Sequence, residues 1–248
     1  MQDLWEVFKI STIAGLATTL GSLLVLLFGK PQERILASLL AGAGGVMLAV
    51  VSVDLLPNAW KIGPPLQVGL GFALGLLFML FADRQLKTPG SDSSLPLTRR
   101  QRLKRAGLLV ATGIALHDIP EGMAIAISQE AAPSLGLLIA IAITLHNLPE
   151  GMATTAPLTM AGIRWWKILA LNIGIAVFTP LGALIGLLAL EGAANSLAFF
   201  LTFAAGAMAF LVFAELIPLS RERHPHYALL GGTIGFLFFA LVSMLLPA

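Results

Sequence analysis

Two short stretches hold most of the reactive side chains in an otherwise apolar chain. They are His117-Asp118-Ile119-Pro120-Glu121-Gly122 and His146-Asn147-Leu148-Pro149-Glu150-Gly151. On a helix, residues four apart share a face, so His117 stands over Glu121 and His146 over Glu150. Asp118 and Asn147 fall on the same edge, three residues before each Glu. Imidazole beside carboxylate is a donor set for a borderline divalent ion, Zn²⁺ first, then Fe²⁺, Mn²⁺, Co²⁺ or Cd²⁺. None of the 248 residues is Cys, which excludes disulfides and thiolate ligands. The plainer alternative is a hydrogen-bonded network that glues two helices together. A lone buried His would favour it, but the same triad written twice at matched depth favours an ion.

The elements that must carry these groups are membrane-spanning helices. The chain is 57% hydrophobic and 11% charged, with mean hydropathy +0.90. That composition describes an all-α integral membrane protein, a single transmembrane domain over 1–248. Eight spans fit, at about 8–28, 34–57, 66–82, 107–127, 134–158, 166–189, 196–219 and 227–247. The motifs lie inside spans 4 and 5, where an ionisable residue at a helix centre costs about 2.5–3.5 kcal/mol on insertion scales. A divalent ion between the helices would offset the negative charge of Asp118, Glu121 and Glu150. Pro120 and Pro149 cannot donate to the carbonyls of Leu116 and Leu145, so kinks are expected beside the polar cluster. Gly122 and Gly151 have no Cβ and let the helices close up there. The N-terminus carries Asp3 and Glu6 in place of a basic leader, and reads as the start of span 1.

The polar stretch 83–106 contains Gly90, three Ser and two Pro, and reads as a flexible cytoplasmic loop. With the N-terminus outside, Lys30, Arg34, Arg84, Lys87, Arg99, Arg100, Arg102, Lys104, Arg105, Arg164, Lys167, Arg221 and Arg223 all fall on the inner side. Of 15 basic residues only Lys9 and Lys61 fall outside. The positive-inside rule therefore puts both termini outside a cytoplasmic (inner) membrane. Beside a span, the basic run 99–105 is an orientation signal, so nucleic acid is not among the expected partners. Those are a divalent metal ion and the lipid bilayer, and a homodimer is compatible with them.

The chain also repeats itself. Thr18-Thr19-Leu20-Gly21 in span 1 aligns with Thr179-Pro180-Leu181-Gly182 in span 6, and Asp54-Leu55-Leu56-Pro57 in span 2 with Glu215-Leu216-Ile217-Pro218 in span 7; both offsets are 161 residues. Gly71 and Gly75 of span 3 match Gly231 and Gly235 of span 8 at an offset of 160. The paired spans cross in opposite directions, a 3+2+3 inverted repeat with the motif helices at its centre. Inverted repeats around a midplane ion site are a common layout for secondary transporters.

His-Asp-x-Pro-Glu-Gly and His-Asn-x-Pro-Glu-Gly in adjacent spans, within eight spans split 3+2+3, resemble the ZIP (Zrt-, Irt-like) family of divalent-metal transporters. The similarity is to the bacterial GufA-like branch and covers nearly the whole chain. It implies a binuclear centre between spans 4 and 5. His117, Glu121, His146 and Glu150 would form the first site. Asp118 and Asn147 would join the second, with Glu121 and Glu150 bridging. It also implies an elevator-like motion of spans 1, 4, 5 and 6 against spans 2, 3, 7 and 8. Two departures from the family pattern stand out. Relatives often carry Glu before the Pro-Leu-Gly-Ala of span 6, where this chain has Thr179, so the second site should be weak or absent. The stretch 83–106 lacks the His clusters of many relatives, which argues against metal sensing there.

Outside the centre, Asp54 and Glu215 are either entrance and exit carboxylates of the pathway or interface residues before a Pro. His224 and His226 are either a release site or a solvated loop. The leading function is a secondary transporter moving Zn²⁺ or a related ion towards the cytoplasm. The alternative is an intramembrane metallohydrolase, in which a metal-bound water attacks lipid or peptide. That chemistry needs a free general base, and it has no use for a duplicated site.

Overall fold

The structure is a computed structural model that describes residues 2–86, 97–131, 133–188 and 190–245. Among them no strand occurs, and eight helices are long and apolar enough to cross a membrane. They keep the span numbers: 1, Leu4–Phe28; 2, Glu33–Ile62; 3, Pro65–Gln85; 4, Arg99–Glu130; 5, Gly136–Met160; 6, Trp165–Leu188; 7, Ser196–Arg223; 8, Pro225–Leu245. Gly29 and Gly162, both at φ 75°, supply the left-handed turns after spans 1 and 5. The helices outrun the apolar stretches that announced them. Much of the region 83–106, read from sequence as a loop, is helix at its two ends, while 87–96 lie outside the described residues. Arg, Lys and Gln are good helix formers, and at 1.5 Å per residue span 4 extends roughly 48 Å. About 30 Å suffices for the hydrocarbon, so its arginine-rich first turns project beyond it. Pro120 and Pro149 sit inside continuous helices, so neither breaks its span.

Two groups of helices make up the bundle. Span 1 packs along span 5, span 6 along span 4, and spans 4 and 5 along each other. In the other group span 8 packs on span 2 and span 7 on span 3. Spans 4 and 7, and spans 2 and 5, join the groups. The contacts recur at the offsets of the sequence repeat. Gly21 lies against the carbonyl of Leu148, and Gly182 against that of Ile119. Gly151 lies against the carbonyl of Thr18, and Gly122 against that of Thr179. Gly75 meets the carbonyl of Phe203, and Gly235 that of Gly42. Dispersion and close backbone approach hold such helices together in lipid, which is why small residues mark these seams.

A feature the sequence did not announce is a pair of π-helical segments, Val50–Leu55 in span 2 and Val212–Leu216 in span 7. In each, the next N–H reaches back five residues, Leu56 to Val51 and Ile217 to Val212. Pro57 and Pro218 follow directly and offer no N–H, so the preceding turn widens. Asp54 and Glu215 are carried by these two segments.

The seams give a stability prediction. A Cβ on Gly151 would overlap the backbone of Thr18, whereas one on Gly174 would meet nothing within 4 Å. Gly151→Ala should cost at least the roughly 1–3 kcal/mol of an overpacked core, seen as a lower unfolding midpoint in detergent. Gly174→Ala should not lower it, and equal midpoints for the two variants would contradict the packing described.

Candidate metal centre

All six motif residues are buried, none more than 2% exposed. The i, i+4 reading puts each His over the Glu of its own helix, but the shortest approaches run between helices. His117 Nε2 lies 3.2 Å from Glu150 Oε2, and His146 Nε2 lies 3.1 Å from each oxygen of Glu121. Both observations hold together, because residues that share a face also share the seam with span 5 or span 4. Asp118 Oδ1 stands 3.8 Å from His117 Nε2. One donor atom each from His117, Asp118 and Glu121 can be chosen so that all lie within 4.8 Å of one another.

Several lone pairs in this cluster have no partner in the protein: both oxygens of Asp118, Glu150 Oε1 and Asn147 Oδ1. Buried polar atoms are ordinarily satisfied, and unpartnered oxygens on residues of this cluster are the kind of donor a hard or borderline cation takes. Asn147 is held in place, its Nδ2 donating to the Ala14 carbonyl of span 1 at 3.0 Å. Asp118, its counterpart in the other copy, has no N–H to give and keeps both oxygens for the seam.

Thr179 is fully buried on span 6, its carbonyl against Gly122, its hydroxyl without a partner. Thr18, its repeat mate, sits in the same way against Gly151. Asp54 is brought near the centre, and Glu215 is not. A cavity of about 380 Å³ runs from Asp54, Asn58 and Lys61 down to Glu121 and His146. Asn58 Nδ2 donates to Asp54 at 2.6 Å, a partner legible in the i, i+4 spacing. Glu215 lies at the opposite, arginine-rich end, 3.5 Å from Arg105. His224 and His226 are also at that end, their rings 6.2 Å apart and His224 edge-on to Tyr227. Phe239 of span 8, missed in the sequence, closes the cavity wall with its ring 5.6 Å from that of His146. Only the apolar periodicity of span 8 signalled it, and that is shared by every lipid-facing residue.

The ZIP zinc transporter family model matches residues 87–243. The chain belongs to the ZIP family. This ZIP chain is 34% identical to the zinc transporter ZupT of Chlorobium phaeovibrioides, over all of both chains. It is 33% identical to the ZupT of Corynebacterium aurimucosum, over 96% of each chain. To a ZupT of Stenotrophomonas maltophilia it is 31% identical, over 99% of this chain and 97% of that one. The ZIP relatives bear the names of transporters, and the hydrolase alternative is set aside.

Proposed function

We propose that this ZIP chain carries Zn²⁺ or a related divalent ion across the cytoplasmic membrane, towards the cytoplasm. The observation that carries the reading is the double cross-pairing, His117 with Glu150 and His146 with Glu121, the second pair lining a cavity that reaches one end of the bundle and the first buried behind it. The ion enters past Asp54. It is taken by His117, Glu121, His146 and Glu150, with Asp118 and Asn147 offering a second, weaker position beside Thr179. It leaves past Glu215. On the positive-inside argument the arginine-rich end is cytoplasmic and both termini lie outside. The repeated carbonyl–glycine seams and the two π-helical segments support the 3+2+3 inverted repeat. The division of the bundle into two groups supports motion of spans 1, 4, 5 and 6 against spans 2, 3, 7 and 8. The test is Zn²⁺ uptake by proteoliposomes that contain this protein alone. Uptake no faster than in empty vesicles would sink the proposal.

The same reading predicts that uptake slows when the outer side is acidified. Coordination uses the imidazole lone pair, and an unperturbed His titrates near roughly 6.5. A proton and the metal want that one lone pair, so the sign of the competition is fixed. Flux measured against outer pH should fall on the acid side, and any flux left in a His117→Ala, His146→Ala protein should lose the dependence. Uptake driven by an inward proton gradient would contradict it.

A further inference from the structure

The arginines that begin span 4 do more than orient it. Arg99 pairs with Glu33 of span 2, Arg102 with Glu222 of span 7 at 3.1 Å, and Arg105 with Asp83 of span 3 and Glu215 of span 7. Spaced three apart, they advance along one side of the helix. Every carboxylate they reach lies in the group of spans 2, 3, 7 and 8. Arg100 turns the other way and donates to the Ala161 carbonyl, just past span 5. An orientation signal needs only charge on the right side of the membrane, not four carboxylates on three other helices placed to meet it.

The rim pairs of Arg99 and Arg102 are half exposed and hold weakly. Arg105 is set deeper, with its side chain 22% exposed and those of Asp83 and Glu215 10% and 16%. Towards the metal centre from it lies a buried apolar layer shared by the two groups, with Leu40, Met79, Leu109, Val110 and Leu211 among its members. The opposite end, by contrast, is open as far as Glu121 and His146. One end of the site is thus hollow, and the other is shut by apolar packing with an ion-pair layer beneath it.

We propose that Arg105, held by Asp83 and Glu215 and flanked by the Arg99 and Arg102 pairs, is an ionic latch. It ties span 4 to spans 3 and 7 and keeps the cytoplasmic side closed while the outer cavity is open. The inference rests on the transport reading for the identity of the two sides. The latch must be undone before span 4 can move against the other group, so it sets the balance between outward-open and inward-open states.

The chain has no Cys, which makes single-cysteine labelling clean. Val110→Cys probes the apolar seal and Ser243→Cys the cavity wall, each with a membrane-impermeant maleimide in metal-free vesicles. Adding Arg105→Gln should raise Val110→Cys labelling from the cytoplasmic side by roughly tenfold and slow Ser243→Cys labelling from outside, as a population shift requires. Exchanging the charges, Arg105→Asp with Asp83→Arg, should bring both rates back towards those of the parent. Where Arg105→Gln does not fold, Arg105→Lys keeps the charge, loses the fork and should give intermediate rates. Parent rates in Arg105→Gln, and in Arg99→Gln, Arg102→Gln, Arg105→Gln together, would overturn the latch. A rise that the charge exchange leaves in place would overturn it too. No metal enters the assay, so its failure leaves the transport reading standing, whereas a failed uptake assay removes the naming of the two sides and leaves the labelling rates to report only whether Arg105 ties span 4 to spans 3 and 7.

Discussion

Replacing Glu121 by Ala should reduce Zn²⁺ uptake to the level of empty vesicles while the protein remains folded. Glu121 joins the two halves of the centre and is the carboxylate of it that also lines the cavity. Both its oxygens lie 3.1 Å from His146, it belongs to the triad with His117 and Asp118, and it faces the cavity. Losing a charged ligand should weaken binding on the order of a hundredfold, about 2.7 kcal/mol, and a carrier so weakened transports nothing measurable at micromolar metal. The fold should survive, because spans 4 and 5 are held by small-residue seams as well as by this pair. The repeat predicts the same for Glu150→Ala. Glu130→Ala is the control, since Glu130 is exposed at the far end of span 4 and should leave uptake unchanged. Normal uptake by Glu121→Ala would remove the centre from the pathway.

The parts of this arrangement that were legible in the sequence are those fixed by local rules. Apolar length gave eight spans, and i, i+4 spacing put His117 with Glu121, and His146 with Glu150, on shared faces. A common offset paired Gly21 with Gly182 and Asp54 with Glu215, and each pair makes matching contacts or sits in matching backbone. What escaped depends on relations between helices. Spacing along one helix cannot say that His117 will find Glu150 before Glu121, because that is set by how closely two helices approach. Pro57 and Pro218 were read as span ends, yet they lie inside the helices and widen the turn before them. The run Arg99–Arg105 read only as an orientation signal because Glu33, Asp83, Glu215 and Glu222 are distant in sequence, and only the packed bundle brings them to it. Phe239 was hidden among 14 phenylalanines, most of which any lipid-facing helix would explain.

Thr179→Glu should create a second tight Zn²⁺ site where the parent has one. The position is suited to it. The Thr179 carbonyl packs on Gly122, the residue after Glu121, and its hydroxyl lies close to Gly15 of span 1, without a partner. The neighbouring Ala14 carbonyl receives the Asn147 amide, so Asn147 Oδ1 and the Thr179 side chain belong to one small region beside the centre. A neutral hydroxyl there adds little to the hold on a divalent ion, whereas a carboxylate supplies both charge and a ligand oxygen. Titration calorimetry of the parent should give one tight equivalent. The Thr179→Glu protein should give a second, bound at least about tenfold tighter than in the parent, or roughly 1.4 kcal/mol. Burying a longer side chain at a fully enclosed position costs packing energy, so the unfolding midpoint of the metal-free variant should fall and recover when Zn²⁺ is added. Thr179→Gln has the bulk without the charge; it should show the lower midpoint and no second site. Two equal tight sites in the parent, or a second site gained equally by Thr179→Gln, would show that the missing carboxylate is not what limits the centre to one ion.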